Sequence, residues 1–345
     1  MKKRMVMGAF AALGIVVLIF DAATASTSAQ EALQICIRVV IPSLFPFFVL
    51  INLLSSLLSS TVLKWMSPLE RFLKIPAGSG SLYLCGLLGG YPTGAQIVHS
   101  AWKSGSIGCR DAQQMLAFCS NAGPAFLFGM IGPVFSDMST AWIIWLIHIV
   151  SSVLVGYIYR RDTQSLPLSL QKAPISLTQA LRRAVEVMAY VCGWVILFRV
   201  LIGFLSRWFL WCLPIELEVA ITSLLELANG CTSLRYIDNE GLRMIVASGV
   251  VNFGGICVLM QTASVTTGLK ISSYISGKLL QTAFAVIMTV SAQFFLFAES
   301  NRISLNTIEM VCILLAFVFL LSLTRVRKIT VDFHKNVLYN ALRNK

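Results

Sequence analysis

The amino-acid sequence predicts an all-α polytopic membrane protein, transporter-like, with inverted repeats, broken helices and re-entrant hairpins. Three observations carry this expectation. The chain of 345 residues is 57% hydrophobic and 12% charged, with mean hydropathy +0.80, against the ~25% charge of an ordinary globular domain. Its apolar residues fall into ten runs, most near the ~20 residues that cross a bilayer as a helix. Inside two of these runs, SNAGP at 120–124 and VNFGG at 251–255 repeat the pattern Asn-x-Gly-(Pro/Gly), 131 residues apart. Unwound backbone at membrane depth is tolerated only where protein or a water-filled cavity satisfies it, and breaks at matching places in two halves mark the substrate site of many carriers.

The runs lie at roughly 5–23, 33–58, 81–102, 111–133, 140–159, 185–206, 214–233, 243–265, 274–298 and 307–324, which leaves no soluble domain over. At the start, Lys2, Lys3 and Arg4, an apolar stretch and Ala23-Thr24-Ala25 imitate a secretory signal. That stretch is long for a signal and Asp21 interrupts its end, so an uncleaved transmembrane helix is expected within 1–29. The nine cysteines stand singly without C-x-x-C spacing, and His99, His148 and His334 are isolated. Neither a disulfide framework, a metal site nor a cofactor is indicated, and a lone histidine in an apolar helix reads as packed or hydrogen-bonded. Without an H-E-x-x-H or G-x-S-x-G motif, no enzyme activity is expected.

The net charge of +12 reads as membrane orientation rather than nucleic-acid binding, because the basic residues sit in loops beside spans. If the N-terminus, the linker at 161–177 and the segment 301–345, a last span with a basic tail, all begin or end in the cytoplasm, each half crosses an even number of times although it holds five runs. One run per half must therefore enter and leave on the same side. The best candidates are 81–102, interrupted by GGYPTG at 89–94, and 214–233, interrupted by ELANG at 226–230; parity alone leaves the Asn-Gly run as the alternative in each half. With the two hairpins, 20 basic residues fall inside, four outside (Arg207, Arg235, Arg243, Arg302) and three within spans (Arg38, Arg199, Lys278). The units at 30–160 and 178–300 are then inverted copies of one another.

LFPFF at 44–48, LLGGYPTGAQ at 87–96, FCSNAGPAFLFGMIG at 118–132, LLELANG at 224–230 and VNFGGICVLMQ at 251–261 resemble the sporulation integral membrane proteins that carry two nucleoside-recognition, or gate, domains. VNFGG is also similar to the Asn-containing break of concentrative nucleoside transporters. The resemblance covers about 30–300. It implies an inverted-repeat carrier in the cell membrane for a small polar or heterocyclic solute, dipicolinate-like in sporulation or nucleoside-like, with a coupling cation or proton. GGYPTG lacks the carboxylate of the transporters' hairpin motif, so cargo and coupling ion stay open, as does a homo-oligomeric state. A non-transporting membrane scaffold that keeps the gate fold is the rival reading.

The candidate substrate-binding residues follow from the breaks and hairpins. Asn121 and Asn252 each carry a donor and an acceptor, which serve either a ligand or the freed backbone itself. Gly123, Gly254 and Gly255 allow close backbone approach. In the first hairpin Gly94 helps form a tight tip, while Tyr91 and Thr93 offer hydroxyls and an aromatic face. Glu226 is a carboxylate within an apolar run, where an ionisable group is costly and a functional candidate by default; the alternative is a place at the outer water interface near Glu218. Ser120 and Asn229 complete the set beside these motifs. Arg38 and Arg199, in the first spans of the two repeats, either snorkel to the interface or meet an anionic solute. The amphipathic segment 177–188 is expected to enter its span along the membrane surface.

The charge partition predicts that the N-terminus, position 165 and the C-terminus face the cytoplasm, and that positions near 136 and 302 face outward. Single cysteines introduced into a cysteine-free chain and probed with an impermeant thiol reagent test this. Labelling of position 165 from outside would defeat the parity argument and the inverted repeat with it.

Overall fold

The computed structural model describes residues 2–58, 63–161 and 175–296, and all regular structure among them is helical. The run at 307–324, most of the central linker and the basic tail lie outside the described residues. Helix α1 (Lys2–Phe20) ends at Asp21, whose carboxylate accepts the Thr24 N–H at 3.3 Å and caps α2 (Ala22–Ile35). α2 passes through a π turn at Cys36–Val40 into α3 (Ile41–Leu58). The cause is Pro42, which has no N–H to offer the carbonyl four residues back, so Ile41 N–H reaches five residues back to Cys36 O instead. The same adjustment recurs at Leu127–Ile131, ahead of Pro133, where Gly132 N–H bonds Leu127 O.

The first half continues with α4 (Ser67–Leu73), α5 (Gly80–Gly89), α6 (Thr93–Lys103), α7 (Cys109–Leu116), the single turn α8 (Pro124–Phe126) and α9 (Met138–Ile158). The second half comprises α10 (Leu177–Trp208), α11 (Ile215–Leu225), α12 (Leu227–Ser233), α13 (Glu240–Phe253), α14 (Gly255–Val265) and α15 (Ile271–Leu296). Among the described residues, five segments are long and apolar enough to cross a bilayer: Ala22–Leu57, Met138–Ile158, Leu177–Trp208, Glu240–Val265 and Ile271–Gln293. The protein is an all-α polytopic membrane protein. The runs at 81–102 and 214–233 each fold as a packed pair of short helices, α5 with α6 and α11 with α12, interrupted at 90–92 and at Glu226.

The two Asn-Gly motifs break their helices in different ways. Residues 117–123 leave the α-helix altogether between α7 and α8, because Pro124 cannot donate backward and Gly123 takes an extended conformation at φ −75°, ψ 155°. Between α13 and α14 the chain turns through two left-handed glycines, Gly254 at φ +82° and Gly255 at φ +80°, a conformation that a Cβ disfavours.

Packing brings the halves together. α10 lies along α2 and α3 through Ala180, Ala184, Met188, Val191 and Val195, the three- and four-residue spacing of one helix face. α15 packs on α9 and α13. The first break is wedged by backbone: a Cβ on Gly86 or Gly94 would stand 2.2 or 2.3 Å from Cys119 O, and one on Gly277 of α15 would stand 2.1 Å from Ala117 O. Only glycine lets the first hairpin and α15 clasp the unwound segment this closely.

Gly277→Ala is expected to destabilise the detergent-solubilised protein by about 1–3 kcal/mol, the cost of overpacking, in a thermal or denaturant melt. Gly193→Ala is the control, since nothing lies within 4 Å of a Cβ there; it should be neutral or gain about 0.5–1 kcal/mol from helix propensity. Equal behaviour of the two variants would contradict the wedge.

Candidate functional site

Where the two breaks approach each other, polar side chains form one buried network. Unwinding at 117–123 strips backbone groups of their helical partners, and they must be satisfied internally. Asn121 Nδ2 donates to Phe118 O at 2.8 Å, and Asn252 Nδ2 donates to Ser248 O at 2.7 Å. Each asparagine thus spends its donor on its own broken helix. Their acceptors face the other elements. Asn252 Oδ1 receives His148 Nδ1 at 2.8 Å and Ser151 Oγ at 3.0 Å, both from α9. Asn121 Oδ1 receives Gln281 Nε2 at 3.0 Å from α15.

His148 joins the two breaks directly. Its Nε2 accepts the Ala122 N–H at 3.0 Å, so the ring proton belongs on Nδ1, the nitrogen that donates to Asn252. Lys278 of α15 completes the junction: Nζ donates to Gln281 Oε1 at 2.7 Å, Tyr91 Oη at 3.1 Å and Asn121 Oδ1 at 3.5 Å. Tyr91 in turn donates to Val251 O at 3.2 Å, and its ring lies against Gly254. Asn121, His148, Gln281 and Asn252 are 0% exposed and Lys278 is 1% exposed.

Beside this junction is a cavity of about 50 Å³, lined from the first half by Gly90, Tyr91 and Gly123 and from the second by Glu226, Ala228 and Gln261. Aliphatic and phenyl groups of α3 and α10, such as Phe48 and Val195, close its side. Ligand sites for drug-sized molecules run to roughly 300–1,000 Å³, so an aromatic solute enters only if the lining helices part.

Glu226 occupies the cavity wall in a fixed pose. It takes an extended conformation between α11 and α12 and caps α12, accepting Ala228 N–H at 3.0 Å, Asn229 N–H at 2.6 Å and Asn229 Nδ2 at 2.6 Å. A carboxylate at a helix N-terminus is stabilised by these donors and by the helix dipole. Glu226 is buried, whereas Glu218 is partly exposed and receives Ser206 Oγ. Asn229 serves Glu226 rather than the cavity.

The remaining candidates separate clearly. Thr93 and Gly94 pack the first hairpin, with the Thr93 methyl against Gly89. Ser120 is buried, and its hydroxyl, like that of Thr262, faces the Tyr274 hydroxyl without a tight hydrogen bond. Gly255 closes the second turn against α11 and α12. The arginines are not at the site. Arg199 is held by Glu31, with Nε at 3.1 Å and Nη2 at 2.5 Å from the carboxylate, Arg38 is exposed, and neither lines the cavity.

The two arginines named from the sequence thus lie apart from the cavity, and the buried lysine beside it is Lys278. Sequence reasoning counted Lys278 as a span cation without assigning it a role, and read His148 only as packed or hydrogen-bonded. It passed over Gln281, three residues beyond Lys278, and Gln261, the last residue of the second motif.

A comparison with curated proteins finds similarity to the sporulation integral membrane protein YlbJ of Bacillus subtilis (strain 168), 23% identical over 313 residues and covering 76% of each chain. No family model and no solved structure matches. The similarity agrees with an integral membrane protein.

His148→Ala and Asn252→Ala are each expected to destabilise the protein, by about 1–3 kcal/mol for every buried group left unsatisfied. Because the two share one hydrogen bond, the double variant should cost less than the sum by about 0.5–3 kcal/mol. Unfolding in detergent of the four proteins of this cycle measures it, and strictly additive costs would show that the breaks are not joined through His148.

Proposed function

We propose that this protein is a carrier of the cell membrane, with both termini cytoplasmic, that moves a small polar or heterocyclic solute by alternating access. The observation that carries this reading is the meeting of two helix breaks, one from each half, in a single polar junction beside a cavity to which both halves contribute. A scaffold needs no such junction, since buried polar groups cost stability unless each is satisfied. In carriers with paired breaks the solute lies where the breaks meet and the two halves rock about it. The motif resemblance implies a heterocyclic cargo, dipicolinate-like or nucleoside-like, and the likeness to a sporulation integral membrane protein supports a membrane setting for it. The cavity chemistry suits either: the ring and hydroxyl of Tyr91 and the amide of Gln261 stand among apolar walls.

The full chain in reconstituted vesicles is expected to accumulate dipicolinate or uridine above protein-free vesicles. Gln261→Ala, which gives up only a bond from Nε2 to Cys257 Sγ at 3.4 Å, should leave the protein folded. It should weaken the apparent affinity by about 1–3 kcal/mol, roughly 5- to 150-fold. Absence of uptake of both solutes by the wild-type protein would overturn the carrier reading.

A further inference from the structure

Lys278 differs from the arginines of the other helices in what surrounds it. Arg199 faces Glu31 and Arg207 faces Asp21 at 3.2 Å, while Arg243 is folded onto the carbonyls of Ile237, Asp238 and Val134. Lys278 is buried, and its three donors meet three neutral oxygens, on Gln281, Tyr91 and Asn121. The titratable groups that face it are Tyr91 at the first hairpin tip, Cys119 of the unwound segment, His148 of α9 and Tyr274 of its own helix. None of them is a carboxylate. Its ammonium also lies 4.9 Å from the Tyr91 ring centre and 5.9 Å from that of Tyr274, so the surrounding dipoles and ring faces are all aimed to support positive charge.

Neutral dipoles satisfy the hydrogen bonds of a buried ammonium without cancelling its field, which low dielectric leaves strong at short range. A bundle shaped only for stability would place an apolar side chain here, since burying a charge without an opposite one is costly. Tyr91 stands between Lys278 and the cavity: it lines the cavity and holds Lys278 through its hydroxyl. A group entering the cavity therefore reaches the ammonium by displacing one phenol side chain.

From this placement we infer that Lys278 is the anion-recognising residue of the site, its ammonium taking a carboxylate of the solute in place of the Tyr91 hydroxyl. The inference rests on the carrier reading above and adds a substrate charge and a residue to it. Gln281 orients the ammonium through Oε1 and turns its amide donor toward Asn121, which keeps Lys278 in place while its partner changes. Release of the Tyr91 hydroxyl also loosens its bond to Val251 O, so arrival of the anion is felt at the second break.

The test uses two probes of the same shape and different charge, pyridine-2,6-dicarboxylate and pyridine-2,6-dicarboxamide, with the full chain in reconstituted vesicles. The dicarboxylate should be taken up, and a hundredfold excess of the dicarboxamide should not compete. Lys278→Met should lower dicarboxylate uptake at least tenfold while still folding in detergent, since removing a costly buried charge offsets the one acceptor, Gln281 Oε1, that loses its donor. Lys278→Arg should keep the preference for the charged probe.

Wild-type dicarboxylate uptake by Lys278→Met, or equal transport of the two probes, would overturn the inference and leave the carrier reading standing. Uptake of neither probe nor of uridine by the wild type would overturn both. Should Lys278→Met fail to fold, the arginine variant decides: a folded Lys278→Arg that no longer distinguishes the probes counts against the inference, and one that does supports it.

Discussion

The histidine between the two helix breaks is the constraint on which the rest of the arrangement depends. Unwinding 117–123 inside a helical bundle exposes a backbone donor at Ala122 that no water can reach, and unwinding at Gly254 leaves Asn252 turned inward. A single neutral imidazole answers both, accepting from one and donating to the other. That requirement fixes the approach of α9 to both segments, and with it the position of α15, whose Gln281 reaches Asn121 and also the His148 carbonyl at 3.4 Å. The network has little slack, because in a medium of low dielectric a half-satisfied set of polar groups is worse than none.

Much of this was legible in the sequence, and what was missed has a physical reason. The breaks at SNAGP and VNFGG and the hairpin interruptions at GGYPTG and ELANG announce themselves because Pro and Gly act locally: a missing N–H or a left-handed φ is decided by the residue itself. The role of a side chain on a regular helix is decided by phase and by partners far along the chain. Arg199 stands one turn beyond the cavity-lining Val195, and only its pairing with Glu31, 168 positions away in the chain, holds its guanidinium off the cavity. Lys278 and Gln281 meet residues 157 to 187 positions earlier in the chain, so no local pattern could pair them. Glu226 was visible as an unusual carboxylate, yet its service to α12 depended on where that helix begins, which a two-residue shift would have changed.

The two halves repeat an order of elements without repeating their details. The first break is an extended segment held by glycine contacts from both sides, and the second is a compact two-glycine turn. The first hairpin places a phenol at its tip and the second a carboxylate. Each half therefore brings a different chemical group to a shared surface, and the cavity carries both among apolar walls.

The glycine contacts have a mechanical meaning. With Gly86, Gly94 and Gly277 pressed onto the backbone of the first break, α5, α6, that break and α15 form one block without side chains between its parts to repack. Gly230 does the same for the second hairpin, where a Cβ would stand 2.3 Å from the Cα of Ser223, binding α11 to α12. Backbone seated on backbone has no rotamers to change, so each block moves whole or not at all. The compliant seam of the molecule is the cavity between the blocks, bordered by Phe48, Leu44, Val191 and Val195, side chains that exchange contacts with little directional penalty. Among the described residues, an opening between these blocks would fall on this apolar border, where sliding is cheap.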